Sequence, residues 1–282
     1  AWTCHNYPNI KWLRSKDQWN AISKRQTRWE KDALIGDTTV MISNWFVNNI
    51  QNNHGILGDA YPTAKHRWEG DTPSFLYVIS GAKGLSDPTQ WTQGGWGGRF
   101  ASSKTKNYSC TFERIINEKP YHDFFVYPDV PDEWEYKGKV FNNIFVPLVR
   151  WRTDFQNDFA ARMDWSTTSD YSKANHNPLA VVNKNNQPVV MQLTGNPGKK
   201  LLLDATSSSD PDGDQIKFQW FRYPEADSYA GEVKISDISS GKTNVIVPND
   251  LGENNIHIIL RITDNGKPEL SGYKRIIITK KK

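Results

Sequence analysis

The chain has 282 residues, so it is long enough to form two domains that each bury a core. Its formal net charge is only +4, and its most basic run is the three lysines at residues 280–282, so nucleic-acid binding is not expected. No apolar run reaches the roughly 20 residues that a membrane-spanning helix needs, and we therefore expect no membrane span.

The two cysteines, Cys4 and Cys110, give little information about function. Their spacing matches no metal-ligand motif, and the sequence leaves open whether they pair. The first residues have neither the charged nor the apolar segment of a signal peptide, and a mature secreted chain would look the same.

Tryptophan is distributed unevenly along the chain, and this indicates two domains. Eleven of the twelve tryptophans precede residue 166, and only Trp220 follows it. Residues 171–188 are polar and rich in asparagine, which is typical of a linker or a domain entry. We therefore predict one domain over residues 1–172 and a second over residues 173–282.

The first predicted elements are a short strand and a helix. Residues 7–13 resemble a short strand, and residues 38–55 carry apolar side chains at three- and four-residue spacings, which predicts an amphipathic helix. Asp37 or Thr38 is expected to cap this helix, and Gly55 is expected to end it.

Two more helices are predicted further along. Thr72 is a candidate N-cap, with Pro73 at the first helical position. Residues 154–165 place Phe155, Phe159 and Met163 on one helical face. Alternating strand and helix signals favour an α/β architecture, in which ligands bind beyond the carboxyl ends of the strands.

Two carboxylates, Glu69 and Asp71, stand directly before the helix that Pro73 opens. They fit a structural role, because acidic side chains are favourable at a helix N-terminus. They also fit calcium binding or an acid–base pair, since calcium prefers carboxylate oxygens. The sequence leaves both interpretations open.

Residues 91–100, WTQGGWGGRF, combine four glycines with two tryptophans and an arginine. Glycine lets the backbone come close to a ligand, so Trp96 can stack on a sugar ring while Arg99 binds an acid or a hydroxyl. The alternative is a tight loop whose aromatic side chains cover the core.

The second domain is predicted to be an antiparallel β-sandwich. Apolar residues alternate through Ile216, Phe218 and Trp220, and again through Ile256, Ile258 and Leu260. Turn residues separate such runs, as at residues 210–214. Asp210, Asp212 and Asp214 resemble the start of a calcium-binding loop, but no glutamate follows at the twelfth position, so a turn is the favoured interpretation.

Four stretches, in chain order, carry a resemblance to a known family: EGDTPSFLYVI, GGWGGRF, RWRTDFQNDFAARMDW, and SSSDPDGDQIKFQWFRYPEA with HIILRITDNGKPEL. They resemble secreted bacterial and fungal proteins that join a nucleoside hydrolase-like domain to a C-terminal immunoglobulin-like domain, some of which are named cellulose-binding. The resemblance implies that this chain is the C-terminal portion of such a protein, with residues 1–13 as a late strand of its α/β domain.

The resemblance also implies a metal site. Nucleoside hydrolases have a late His-Asp-Pro motif whose aspartate binds calcium, and Asp71 is the best match. Gly70 stands in place of the histidine and Thr72 precedes the proline, which favours another glycoside over a nucleoside as substrate. The remaining aspartates would come from an N-terminal segment of the same protein that this sequence lacks.

Six residues in the shared stretches become candidate substrate-binding residues: Glu69, Trp96, Arg99, Gln156, Asn157 and Asp158. No catalytic residue is assigned. The resemblance implies a secreted or periplasmic, calcium-assisted hydrolase of glycosyl bonds, incomplete and inactive as this chain alone. The alternative is a non-catalytic polysaccharide-binding protein, in which Trp91 and Trp96 form a stacking platform.

Overall fold

The computed structural model describes residues 6–7, 9–15, 18, 22, 35–62, 73–101, 103–105 and 124–281. Helices and strands are mixed up to residue 165, and strands joined by turns follow it. None of the helices in these ranges is long and apolar enough to cross a membrane. The chain thus has a mixed α and β first part and a β second part. Cys4 and Cys110 lie outside the described residues.

The described helices all belong to the first part. They are α1 (Ser43–Phe46), which continues as a π-helical turn (Val47–Gln51), α2 (Gly55–Ala60), α3 (Pro73–Ala82), α4 (Val146–Val149) and α5 (Arg152–Trp165). The predicted helices at Pro73 and at residues 154–165 are confirmed as α3 and α5. Short 3-10 turns occur at Thr39–Met41, Trp91–Gln93, Tyr171–Lys173 and Pro224–Ala226.

The single helix predicted over residues 38–55 is wrong. The segment forms a 3-10 turn, one α-helical turn and a π-helical turn, and then ends at Gln51. Asparagines and β-branched residues crowd its second half, and both are weak helix formers. The N-cap position of the first turn belongs to Thr38, whose side chain makes no capping hydrogen bond, whereas Asp37 Oδ1 accepts from Thr39 N at 2.9 Å. Gly55, with φ of 52°, begins α2 instead of ending a helix.

The strands of the first part form two small sheets. β1 (Trp12–Arg14) pairs in parallel with β3 (Phe124–Pro128), and β2 (Ser103–Thr105) pairs antiparallel with the other edge of β3. β4 (Asp132–Tyr136) and β5 (Lys139–Asn143) form a hairpin. Both residues of its two-residue turn have positive φ, as a type I′ turn requires. The strand predicted at residues 7–13 is therefore shorter and starts later.

The second part is a β-sandwich, as the alternating pattern predicts. One sheet has the order β6 (Met191–Gly195), β12 (Ser271–Lys280), β11 (Asn255–Thr263), β8 (Lys217–Arg222), and the other has β7 (Lys200–Asp204), β10 (Lys242–Ile246), β9 (Lys234–Ile235). Trp220, Leu203 and Val245 from the two sheets share one buried core. β6 and β12 are parallel, whereas the other pairs in this sandwich are antiparallel.

The two central strands of the four-stranded sheet, β11 and β12, are buried on both faces. Ile256, Ile258 and Leu260 of β11 pack inside the sandwich, as predicted. Ile259 between them is also fully buried, but in a different core that belongs mostly to the first part. Strict alternation therefore fails on β11, because the first part covers the face that would otherwise meet water.

Candidate functional site

A small cavity lies between α3 and α5 and brings together two of the predicted site residues. Its volume is about 110 Å³. The residues that line it are Ile22, Phe75, Leu76, Ile79, Phe155, Gln156, Asp158, Phe159 and Arg162. The wall is thus apolar and aromatic, with an amide, a carboxylate and a guanidinium beside it.

Helix α5 can supply polar residues to this cavity because it is buried on most of its surface. Phe155 and Met163 are buried on the predicted apolar face, but Asp154, Gln156 and Asp158 are at most 4% exposed as well. The simple amphipathic pattern predicted for this helix is therefore wrong. Polar side chains inside a protein need partners, and the contacts of these residues provide them.

Gln156 and Asp158 are held in place by other protein groups. Gln156 Nε2 donates to the carbonyl oxygens of Val40 at 3.1 Å and Ile22 at 3.4 Å, which leaves its Oε1 as the remaining acceptor. Asp158 Oδ1 lies 2.6 Å from Lys83 Nζ, and its Oδ2 accepts from Arg162 Nε at 2.8 Å. Each carboxylate oxygen is thus engaged by a cation, which suits orientation of the side chain more than proton transfer.

Lys83 belongs to the same cluster. Burial lowers the pKa of its ammonium group below the ordinary value, and the negative charge of Asp158 acts in the opposite direction. The ammonium group also lies 5.4 Å from the ring centre of Trp96. Lys83 therefore links the cavity wall to the core beneath it.

Asn157 and Trp96, in contrast, do not line this cavity. Asn157 Nδ2 donates to the carbonyl oxygen of Glu269 at 2.9 Å and so ties α5 to the β-sandwich. Trp96 is 1% exposed, and its ring packs edge-on against Phe155 and Tyr273. Its faces are covered by the core, so in this structure the ring is not open to a sugar.

The glycines beside Trp96 have a packing role. Gly94 and Gly98 have φ of 71° and 95°, a backbone conformation that side chains rarely adopt. A Cβ atom at Gly94 would also collide with the Tyr223 hydroxyl, and one at Gly98 would collide with the Gln18 amide. Close contacts within the protein therefore account for these two glycines.

Arg99 forms a buried ion pair near the hairpin. Its Nε donates to Asp132 Oδ1 at 2.6 Å, and its Nη2 donates to the carbonyl oxygen of Pro131 at 2.7 Å. Tyr223 also donates its hydroxyl to Asp132, and burial raises the pKa of this tyrosine well above its ordinary value. Burial alone would lower the pKa of Arg99, but the charge and hydrogen bond of Asp132, together with the smaller effects of Tyr223 and Glu225, raise that pKa above its ordinary value.

Glu69 and Asp71 lie outside the described residues, so the structure places neither of them. Calcium takes six to eight oxygen ligands, and the described part of the chain contains no group of three histidine, cysteine, aspartate or glutamate side chains that could hold a metal ion. Asp210 Oδ1 accepts from the backbone nitrogens of Asp212 and Asp214, as the predicted turn requires. The described residues alone therefore do not fit calcium.

Sequence reasoning identified only Gln156 and Asp158 among the nine residues of the cavity wall, and it missed Phe75, Phe159 and Arg162 among others. Phe75 is one of the apolar residues that follow Pro73 in α3, and it is 49% exposed. Phe159 was identified as part of an apolar stripe, but the stripe gave no sign that it borders a cavity. The spacing of Asp158 and Arg162, four residues apart on one helix, was the signal for their ion pair.

Two family models match the chain. The model of the nucleoside hydrolase-like domain of cellulose-binding Sde182 matches residues 1–100. The model of the C-terminal domain of cellulose-binding protein Sde0182 matches residues 200–280. A search of curated proteins finds no match.

Solved structures are also similar to the chain. One is a nucleoside hydrolase-related hypothetical protein from Saccharophagus degradans that is associated with carbohydrate metabolism. It is 35% identical to this chain in sequence, and the two structures superpose with a TM-score of 0.76. The match covers 99% of this chain and 59% of that protein. The chain thus spans less than two thirds of that relative. A PKD domain from the KIAA 1837 protein shares 18% identity over 33% of this chain and 81% of its own, but its TM-score of 0.24 supports no argument.

The two matched models describe two domains of one kind of protein, and together they span more than half of this chain. The similar solved structure is itself nucleoside hydrolase-related and covers both of those regions. The chain therefore belongs to the Sde182 family, whose members are named as cellulose-binding proteins with a nucleoside hydrolase-like domain.

Proposed function

We propose that this chain binds polysaccharide of the cellulose class through the cavity between α3 and α5. One observation supports this most directly: Phe75 and Phe159 line the same cavity as Gln156 and Asp158. Sugar rings have apolar faces that pack on aromatic side chains, and hydroxyl edges that bond to amides and carboxylates. The names of the family and of its carbohydrate-associated relative support the same ligand class.

The size of the cavity limits what it binds alone. Ligand pockets usually enclose about 300–1,000 Å³, whereas this one holds about 110 Å³. It therefore suits part of one sugar unit and forms one wall of a larger site. We propose that Glu69, which precedes α3, and an N-terminal segment of a longer protein supply further walls. A polysaccharide ligand also favours a secreted or periplasmic location.

Binding to microcrystalline cellulose tests this proposal. Phe75→Ala is expected to weaken binding about tenfold, since burial of a phenylalanine side chain contributes at least about 1.5 kcal/mol. Val78→Ala is the matched control, because Val78 is an exposed apolar residue of the same helix, at 62% exposure, and does not line the cavity. Equal binding by the two variants, or no binding by the unaltered chain, would overturn the proposal.

Calcium-assisted hydrolysis of a glycosidic bond is the second candidate. It is supported by the nucleoside hydrolase-like model, which matches a region that includes Asp71. We propose Asp71 as one calcium ligand and assign no catalytic step. Calcium titration of a longer form of the protein should detect a site that Asp71→Asn removes, and product analysis on β-glucans would separate cleavage from retention. Unchanged calcium binding in the variant would exclude the metal role.

We further propose that residues 173–282 form a separate, immunoglobulin-like domain. Its seven strands lie in sheets of four and three, which is the arrangement of constant-type immunoglobulin domains. Limited proteolysis should cleave between residues 166 and 190 before it cleaves within the strands. Earlier cleavage inside the sandwich would argue against this boundary.

A further inference from the structure

A second, larger cavity of about 670 Å³ lies where the first part meets the four-stranded sheet. Its floor is one face of that sheet, where Gln192, Ile277 and His257 lie side by side on β6, β12 and β11. Its wall is the loop that follows α3, including Asp87 and Gln90. It shares no lining residue with the cavity between α3 and α5.

The loop that forms this wall is held firmly against the sheet. Arg275 of β12 donates from its backbone nitrogen to the carbonyl oxygen of Gly84 at 3.0 Å and from Nε to that of Leu85 at 2.6 Å. Within the loop, Gln93 Oε1 accepts from Asp87 N at 2.8 Å. The cavity is thus preformed, as ligand sites usually are.

His257 places a buried, oriented donor on the floor of this cavity. The residue is 4% exposed, and its Nδ1 accepts from Arg275 Nη1 at 3.0 Å. Because an arginine can only donate, the neutral ring carries its proton on Nε2. Burial, and then the charge of Arg275, lowers the pKa of His257 to about 3, so the ring stays neutral. No described residue accepts the Nε2 proton.

The lining of the cavity selects for uncharged, hydroxyl-rich ligands. Seven of its sixteen described lining residues carry amide or hydroxyl side chains, among them Gln90, Thr92, Gln192 and Thr279. Among the described lining residues, Asp87 is the one acid, and none is a lysine, an arginine, a phenylalanine, a tyrosine or a tryptophan. A phosphate or carboxylate would meet no cation here, and a sugar would be bound by hydrogen bonds instead of by stacking.

We infer that this junction cavity is a second binding site, which takes a neutral sugar unit and donates to it from His257 Nε2. The volume is within the range of small-ligand sites, and clefts between domains are frequent places for them. The hydrogen bond from Arg275 fixes the tautomer of the imidazole, and a ligand oxygen in the cavity can accept the Nε2 proton in place of water. The inference does not depend on binding at the first cavity.

Calorimetric titration of the full chain with cellobiose tests this inference, using the Phe75→Ala background to weaken binding at the first cavity. Gln192→Ala is expected to weaken cellobiose binding about tenfold, because it removes a hydrogen-bonding group from the floor. Gln219→Ala is the matched control, since Gln219 is an exposed glutamine on β8 of the same sheet and does not line the cavity. His257→Gln retains an N–H donor and should bind more tightly than His257→Ala.

Three outcomes would overturn the inference. The first is absence of cellobiose binding in the Phe75→Ala background. The second is an equal loss of affinity in Gln192→Ala and Gln219→Ala. The third is tighter binding of glucuronate or inorganic phosphate than of cellobiose, which would contradict a neutral ligand. Loss of cellulose binding in Phe75→Ala with retained cellobiose binding would support both sites separately.

Discussion

Trp96 Nε1 donates a hydrogen bond to the Tyr273 hydroxyl oxygen, at 3.3 Å, and so joins the first part of the chain to the β-sandwich. Tyr273 in turn donates its hydroxyl to Asp154 of α5, and Arg261 of β11 pairs with the same carboxylate. Burial raises the pKa of Asp154. One buried polar network therefore connects the glycine-rich loop, α5 and two strands.

We predict that Trp96 contributes to stability more than to ligand contact. Trp96→Ala should lower the free energy of unfolding by about 3–5 kcal/mol, because it leaves a large cavity in a closed core. Denaturant unfolding measures this loss, and cellulose binding per folded molecule should stay unchanged. A variant that kept its stability but lost binding would show that the ring contacts the ligand.

The buried pair of Arg99 and Asp132 should be costly to break. Arg99→Ala leaves a carboxylate that is 1% exposed without its closest cation, and we expect a loss of about 3 kcal/mol in unfolding free energy. Lys242→Ala is the control, since Lys242 pairs with Asp204 at 2.9 Å but is 56% exposed, and its removal should cost under about 1 kcal/mol. Similar losses in both variants would contradict the difference in burial.

His257 should make stability depend on pH. Its folded pKa is about 3 against an ordinary 6.5, so between these values the unfolded chain binds more protons and stability falls as pH falls. The limiting slope is about 1.4 kcal/mol per pH unit. Asp227 acts oppositely, because burial raises its folded pKa from 3.8 to about 6, and the folded state then binds the extra proton.

The contributions of His257 and Asp227 have opposite signs between about pH 4 and pH 6 and offset each other. Measurements on the unaltered chain alone would therefore not reveal the effect of His257. The measurement is the difference in unfolding free energy between the unaltered chain and His257→Asn, followed from pH 4 to pH 7. On acidification the unaltered chain should lose more unfolding free energy than the variant, because only the unaltered chain contains His257. A difference that stays constant with pH would mean that His257 titrates alike in both states.

The parts of the fold that the sequence predicted depend on local patterns. The strand at Phe218 and Trp220 and the turn at Asp210 follow from alternation and from turn residues within a few positions. Helix α3 follows from Pro73, whose fixed φ suits a first helical turn. Such signals lie within one helix, strand or turn, so they can be recognised in a single sequence without knowledge of distant partners.

The parts that could not be predicted depend on partners far away in the sequence. Gly94 is needed because Tyr223 packs against it, and nothing within residues 91–100 indicates this. His257 looks like one more strand residue until Arg275 fixes its tautomer and the loop after α3 encloses it. The same holds for Arg99, whose partner Asp132 begins another sheet.

We finally predict that the first part depends on the sandwich for its solubility. Removal of residues 173–282 takes Tyr223, Ile259 and Tyr273 out of the core that they share with Trp96 and Trp151. The truncated chain should expose these tryptophans, bind a hydrophobic dye and aggregate, since large apolar patches promote association. A chain that lacks only residues 281–282 keeps all strands and is the control. Equal solubility and equal melting temperatures for the two truncations would show that the first part folds independently.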